Sequence, residues 1–235
     1  MKYKLISKTL FLEESGTLII GDLHLGYEQM LKQQGIAFPV NQLEQTKKEI
    51  AKVIQELGKE NIKKIILLGD LKHYFSFDKS EKFIVRDFLE FLEEFVPPKK
   101  IILIKGNHEK FELDKRKYYD FYIQDKIIFT HGHKDFPKLW DKKIKTIIMS
   151  HIHPAVTLKE AVKKEKFKAH LMGRYKKKNI FILPSFFPLV SGTEITDLKK
   201  TKTFGIIPNT KLKNFDVYLV GENDVNGFGK LKDLN

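Results

Sequence analysis

Five short apolar runs in this chain each end on side chains that bind metals or move protons, and this repetition limits the possible folds more than any other feature. The first is Thr17-Leu18-Ile19-Ile20, followed by Gly21-Asp22-Leu23-His24. Four residues with strand-type side chains predict a buried strand. Gly21 then lets the backbone turn, and an acid and an imidazole two residues apart project beyond the strand's carboxyl end, where open α/β sheets place their ligands. The pattern returns in Lys64-Ile65-Ile66-Leu67-Leu68-Gly69-Asp70 and in Ile101-Ile102-Leu103-Ile104-Lys105-Gly106-Asn107-His108. It appears twice more, in Lys126-Ile127-Ile128-Phe129-Thr130-His131 and in Thr146-Ile147-Ile148-Met149-Ser150-His151-Ile152-His153.

The segments between these runs predict how the strands are joined. Residues 3 to 12 read as a short opening hairpin, and residues 27 to 34 as a short helix closed by Gly35. Asn41, with Glu44 three residues on, has the form of a helix cap, and Leu43, Ile50, Val53, Ile54 and Leu57 then recur at helical spacing until Gly58. A second helix is expected from Ser80, with Phe83, Ile84, Phe88, Leu89, Phe91, Leu92 and Phe95 on a broad apolar face and Pro97 and Pro98 ending it. Strand, helix, strand, helix, strand implies a parallel sheet with right-handed crossovers, so the chain is an α/β protein. Beyond Tyr118 the helices disappear, and strands are expected at 118–123, 126–131, 145–150, 155–159, 167–175, 179–184 and 215–220.

Composition narrows the chemistry. The 235 residues show no linker-like shift, so one domain spanning 1–235 is expected. No apolar run approaches the roughly 20 residues of a membrane span, and Met1 to Ser15 lacks a signal-peptide core, which together predict a cytoplasmic protein. There is no cysteine, so a metal would be held by oxygen and imidazole. The formal net charge of +13 would attract a polyanion such as nucleic acid. It is carried almost wholly by lysine, Arg86, Arg116 and Arg174 being the arginines, and a lysine- and glutamate-rich surface also suits heat adaptation. The lysine clusters at 142–145, 163–168, 176–178 and 199–202 fit loops and protected sheet edges.

Taken together, Asp22-x-His24, Gly69-Asp70, Gly106-Asn107-His108-Glu109, His131 and His151-x-His153 resemble the five-block signature of the calcineurin-like metallophosphoesterases. The resemblance implies a four-layer sandwich, two mixed β-sheets flanked by helices, that binds two divalent ions. It places Asp22, His24, Asp70 and His153 on the first metal and Asp70, Asn107, His131 and His151 on the second, with Asp70 bridging. Such a pair would share a hydroxide that attacks phosphorus in line. Oxygen and nitrogen ligation of this kind suits Mn, Fe or Zn.

Two departures from the family pattern carry information. Where many members have a second acid after Gly-Asp, this chain has Leu71-Lys72-His73, which is similar to the archaeal and eukaryotic counterparts of the SbcD repair nuclease. That resemblance gives His73 and His108 a catalytic role at the phosphate and leaving oxygen. Ser150 stands where glycine is usual, and its small side chain is expected to be tolerated. The stretch Gly21 to Glu28 and the later Pro184 to Gly192 look like the small free-standing archaeal phosphoesterases related to SbcD, whose bacterial relatives are associated with DNA ligase genes. The function expected is a manganese-dependent nuclease on single-stranded or flexible nucleic acid, with DNA-repair partners. The alternatives are a small-nucleotide phosphodiesterase or phosphatase, and a non-catalytic metal-stabilised nucleic-acid-binding protein.

Overall fold

The computed structural model describes residues 1–36, 41–73, 79–109, 116–159, 163–196 and 205–234. The side chains of Lys79, Ser80, Glu81 and Lys159 lie outside that description, as does the lysine cluster at 199–202. Two mixed sheets pack face to face. The first comprises β1 (Tyr3–Ile6), β2 (Thr9–Leu12), β3 (Thr17–Ile20), β4 (Lys64–Leu67), β5 (Ile101–Ile104) and β6 (Tyr118–Tyr119), side by side in that order. Its hairpin strands are antiparallel, whereas β3, β4, β5 and β6 run parallel, as the crossovers require. The second sheet holds β7 (Phe121–Gln124), β8 (Ile127–Thr130), β9 (Thr146–Met149), β10 (Pro154–Lys159), β11 (Lys164–Tyr175), β12 (Lys178–Ile182), β13 (Thr193–Glu194), β14 (Asp216–Val220) and β15 (Val225–Lys230). Within it, β8, β9 and β12 are parallel neighbours.

The helices are α1 (Tyr27–Gln33), α2 (Gln42–Leu57), α3 (Lys79–Glu93) and the single turn α4 (Asn209–Leu212). Asn41 caps α2 by accepting the Glu44 N–H, and Gly58 ends that helix with φ 78°. Ile50, Val53, Ile54 and Leu57 of α2 and Val85, Phe88, Leu89 and Leu92 of α3 bury against the outer face of the first sheet. One expectation for α3 needs correcting: Phe83 is 70% exposed, while Val85 occupies a buried position. The outer face of the second sheet has no long helix against it among the described residues. Leu139, Ile144, Ile207, Leu212 and Phe215, from connecting segments and α4, cover it instead. No helix among the described residues is long and apolar enough to cross a membrane.

Between the sheets, Leu10, Leu12, Ile19, Ile66, Leu68, Ile102 and Ile104 meet Phe129, Ile148, Met172, Phe181 and Leu183. The central strands β3, β4, β5, β8 and β9 thus present one face to this middle layer and the other to an outer layer, so their residues are apolar in succession rather than alternating. The middle layer also fixes where the strands of the two sheets end relative to one another, and that relation places the functional side chains. Phe129 is fully buried at its centre. Replacing Phe129 by Ala should cost about 3–5 kcal/mol of folding free energy, read as a lower denaturant midpoint with an unchanged slope.

Candidate metal centre

The candidate residues follow the carboxyl ends of β3, β4, β5, β8 and β9, which meet at one rim. Backbone and side-chain hydrogen bonds join the sheets there: His131 Nδ1 lies 2.8 Å from the Leu68 carbonyl, to which Ser150 Oγ also donates at 3.2 Å. Gly21 is needed for close approach, since a Cβ there would lie 2.8 Å from the Ser150 Cβ. The sharp turn falls on the ligand candidates themselves. Asp22, His24, Asp70, His151 and His153 all have positive φ, between 40° and 70°. Non-glycine residues seldom adopt that conformation, which is held where surrounding structure over-determines it.

Asp22, His24, Asp70 and His153 offer ligand atoms that all lie within 4.8 Å of one another, and so do Asp70, His131 and His151. Asn107 joins the second group, its Oδ1 being 3.1 Å from His131 Nε2. Asp70 belongs to both. Its Oδ1 accepts the His108 backbone N–H at 3.0 Å. Its Oδ2 then faces inward, 3.8 Å from His24 Nε2 in one group and 3.3 Å from His131 Nε2 in the other. Asp22 is oriented the same way: Oδ2 accepts the His151 N–H at 3.1 Å, and Oδ1 lies 3.3 Å from His153 Nε2.

Several of these separations are those of ligand edges around a shared ion. Bonds of about 2.0–2.2 Å to nitrogen and oxygen put neighbouring ligand atoms roughly 3.0–3.5 Å apart. His24 Nε2 and His153 Nε2 face each other at 3.4 Å, and Asp22 Oδ1 is buried with no hydrogen-bond partner. Converging lone pairs of this kind fit divalent cations. His131 shows the ligand preparation expected of metal-binding imidazoles, with Nδ1 engaged by a carbonyl and Nε2 left for the centre.

The electrostatics agree. Burial alone would make Asp70 and Asp22 harder to ionise, but His131 beside Asp70 and His153 beside Asp22 hold both carboxyls below their usual range. Burial would keep His131 neutral, yet Asp70, Asp22 and Glu109 outweigh it and push the imidazole up to about 9. His24 goes the other way, down to about 3, through burial and the neighbouring His153 and His108. Burial and His108 likewise lower His73 to about 4. Of the imidazoles at the centre, His131 is thus the one whose surroundings favour its protonated form.

His108 and His73 stand beside the first group. His24 and His108 have ring centroids 4.9 Å apart, and His73 is 5.7 Å from His108. His108 Nδ1 is held by the His73 carbonyl, and its Nε2 is 3.8 Å from Asp70 Oδ2. The structure thus brings all nine candidates together. It also adds residues absent from the candidate set. His133, half-buried, lies 5.1 Å from His131 and 6.0 Å from His151 by ring centroid, and the signal for it was available as His131-Gly132-His133. Glu28 and Gln42 brace the His24 turn: Gln42 donates to the Leu23 and His24 carbonyls, and its own N–H donates to Glu28 at 2.8 Å. Ser185 Oγ and the Phe187 N–H both hold the Asp22 carbonyl, and Lys168 in turn donates to the Ser185 and Phe187 carbonyls. That network explains the Pro184 to Gly192 stretch.

A β-sandwich whose strand ends gather acids, an amide and imidazoles into two groups with one shared carboxylate is the architecture of a binuclear metallohydrolase. Residues 17–220 match the family model described as calcineurin-like phosphoesterase, and the chain belongs to that family of metal-dependent phosphoester hydrolases. Among solved structures, the nuclease MPE of Pseudomonas putida has the same fold, with a TM-score of 0.59, 15% identity, and coverage of 97% of this chain and 100% of that one. A Vps29 double mutant from Entamoeba histolytica matches with a TM-score of 0.37 and 13% identity over 90% of this chain and 96% of that one.

A metal held by His131 would have to displace any proton there, because an imidazolium has no lone pair for a metal. At pH 7.5, below the His131 value of about 9, binding should release about one proton per chain from this residue and none from His24. Calorimetry in buffers of different ionisation enthalpy measures this directly. A heat of binding that is the same in every buffer would contradict it.

Proposed function

We propose that this chain is a two-metal phosphodiesterase, a manganese-dependent nuclease on single-stranded or flexible nucleic acid, acting as one cytoplasmic catalytic domain over residues 1–235. The observation that carries the proposal is Asp70 Oδ2, which faces His24 of one ligand group and His131 of the other. On this reading Asp22, His24, Asp70 and His153 hold one ion, and Asp70, Asn107, His131 and His151 the other. Two such ions, when bound, would generate a hydroxide nucleophile at neutral pH and neutralise charge on the phosphoryl oxygens. Two divalent ions bring four positive charges and Asp22 and Asp70 return two, so the site stays attractive to phosphate. Manganese suits the mixed carboxylate, amide and imidazole donor set. The net charge of +13 supports a polyanionic substrate, as does the description of the P. putida neighbour as a nuclease. The His73 position and the Gly21 to Glu28 stretch support an affinity with the SbcD-related archaeal enzymes and, through them, a part in DNA repair. The absence of cysteine suits a reducing compartment.

The chain's own groups divide the remaining work. Asp22 and Asp70 each have one oxygen fixed by a backbone N–H, so the inward oxygen is presented without a side-chain search. His108 is oriented through Nδ1 by the His73 carbonyl, which leaves Nε2 to carry a proton to the leaving oxygen. His73, with its ring centroid 5.7 Å from that of His108, would share that work at the phosphate and leaving oxygen.

Two variants test these assignments. Asp70→Ala should lower the occupancy of both metals and abolish hydrolysis, as measured by elemental analysis and turnover; two fully occupied metals would remove Asp70 from the bridge. His108→Ala should keep both metals and lower kcat on a nucleotide diester by roughly 10²-fold or more, with KM nearly unchanged. A nitrophenyl diester, whose leaving group needs little protonation, should suffer much less. Equal losses on the two substrates would make His108 a phosphate-binding group rather than an acid. Run on wild type, the same assays with single-stranded DNA, duplex DNA and RNA test the substrate, and hydrolysis of small esters alone would refute a nuclease.

A further inference from the structure

We infer that Glu109 is the positioning residue that couples the two metal sites, clamping the loop that carries the shared ligand Asp70 to the loop that carries Asn107 and His108. This rests on the two-metal reading and adds to it a residue that binds no metal. Glu109 Oε2 accepts the backbone N–H of Asp70 at 2.9 Å and of Gly106 at 2.6 Å. Glu109 Oε1 accepts those of Leu71 at 2.7 Å and Lys72 at 3.3 Å. One carboxylate thus gathers four amides from two loops that follow different strands. Its four bonds to the described residues all go to the backbone, so it fixes main-chain position, and through it Asp70, Asn107, His108 and the His73 carbonyl together.

Two further features show that the arrangement is built around this carboxylate. Gly106 has no room for a side chain, since a Cβ there would collide with Asp70 and reach 2.7 Å from Glu109 Oε2. A Cβ on Gly69 would lie 2.8 Å from the Gly106 nitrogen, so the two loops touch at their glycines. Glu109 thus sits where the loops are in contact, and its carboxylate supplies the acceptors their converging N–H groups require. The register it sets is that between Asp70, which would be shared by both ions, and Asn107, which would serve the second.

Glutamine tests the clamp with almost no change in shape. Its amide keeps one acceptor oxygen but turns an NH₂ toward two N–H donors, so half of the clamp becomes repulsive. Glu109→Gln should weaken binding of the second manganese by about tenfold or more, the range seen when groups behind metal ligands are removed. The electron paramagnetic resonance spectrum of the two-manganese protein should lose its exchange-coupled lines, because the shared carboxylate no longer spans the ions at the same distance. kcat should fall more than KM rises. If the melting temperature falls while both affinities and the coupled spectrum stay as in wild type, Glu109 is a structural brace and the inference is overturned. If wild type itself lacks two coupled ions, the two-metal reading fails and the inference with it; failure of the inference alone shows only in the variant. Should Glu109→Gln not fold, hydrogen exchange of metal-free wild type decides. The amides of Leu71, Lys72 and Gly106 should be protected before metal is added, and exchange at unstructured-chain rates would refute the clamp.

Discussion

The structure depends on keeping Asp70 ionised where water cannot reach it. A carboxylate 2% exposed at the rim of two sheets would ordinarily take up a proton more readily, since burial disfavours charge. Here the charge is held by the His108 backbone N–H on one oxygen and by the His131 imidazolium opposite the other. The carboxylates around His131 favour its protonated form, so a proton there would partly balance Asp70 and Asp22, and a bound cation would do so more fully.

Holding that cage carries a conformational cost that the rest of the fold must offset. Five ligand candidates sit at positive φ, each costing of order 1–3 kcal/mol. The compensation is visible on both sides of the rim. Behind it, the middle layer of Ile, Leu and Phe side chains locks the strand ends of the two sheets together. Around it, backbone groups left unpaired by the sharp turns are taken up by polar side chains: buried Gln42 on the His24 turn, buried Ser185 on the Asp22 carbonyl, and half-buried Glu109 on the Asp70 loop. The turn geometry gives the side chains their aim, and the polar supports give the turns their permanence.

The sequence showed the metal-site candidates more clearly than what holds them. The apolar runs are short, β-branched and followed at once by acids and imidazoles, so strand, turn and ligand candidate could be read together at Asp22, Asp70 and His131. The helix ends were legible for the same local reason at Asn41 and Gly58. What was hidden is non-local. Phe83 looks like part of an apolar helix face, but only the tertiary packing shows that Val85 lies buried and Phe83 does not. Strands β13 and β15 escaped notice because one is two residues long and the other, Val-Asn-Gly-Phe-Gly-Lys, has a composition unlike a strand. Gly21 was expected to supply a turn, whereas its place is set by Ser150 from the other sheet. Gln42, Lys168 and Glu109 act on backbone groups distant in sequence, and a partner that is a main-chain amide leaves no mark on composition.

The cations of the chain bear on how a polyanion would be held. Two of the three arginines are already engaged, Arg86 with Glu90 at 2.8 Å and Arg116 with Glu93 at 2.6 Å. The planar, two-pronged grip on phosphate that arginine provides is therefore largely committed to the protein itself. What remains is Arg174 and the many lysines, and a lysine is a hydrated point charge that attracts a polyanion without fixing its orientation. Under the proposed nuclease function, lysines would bring the strand to the surface through a salt-screened and sequence-blind attraction, while the metal centre would supply the geometry at one phosphate. Recognition and chemistry would then coincide at the rim where the strands end, so the same carboxylates and imidazoles that gather the metals would also select which phosphodiester is cut.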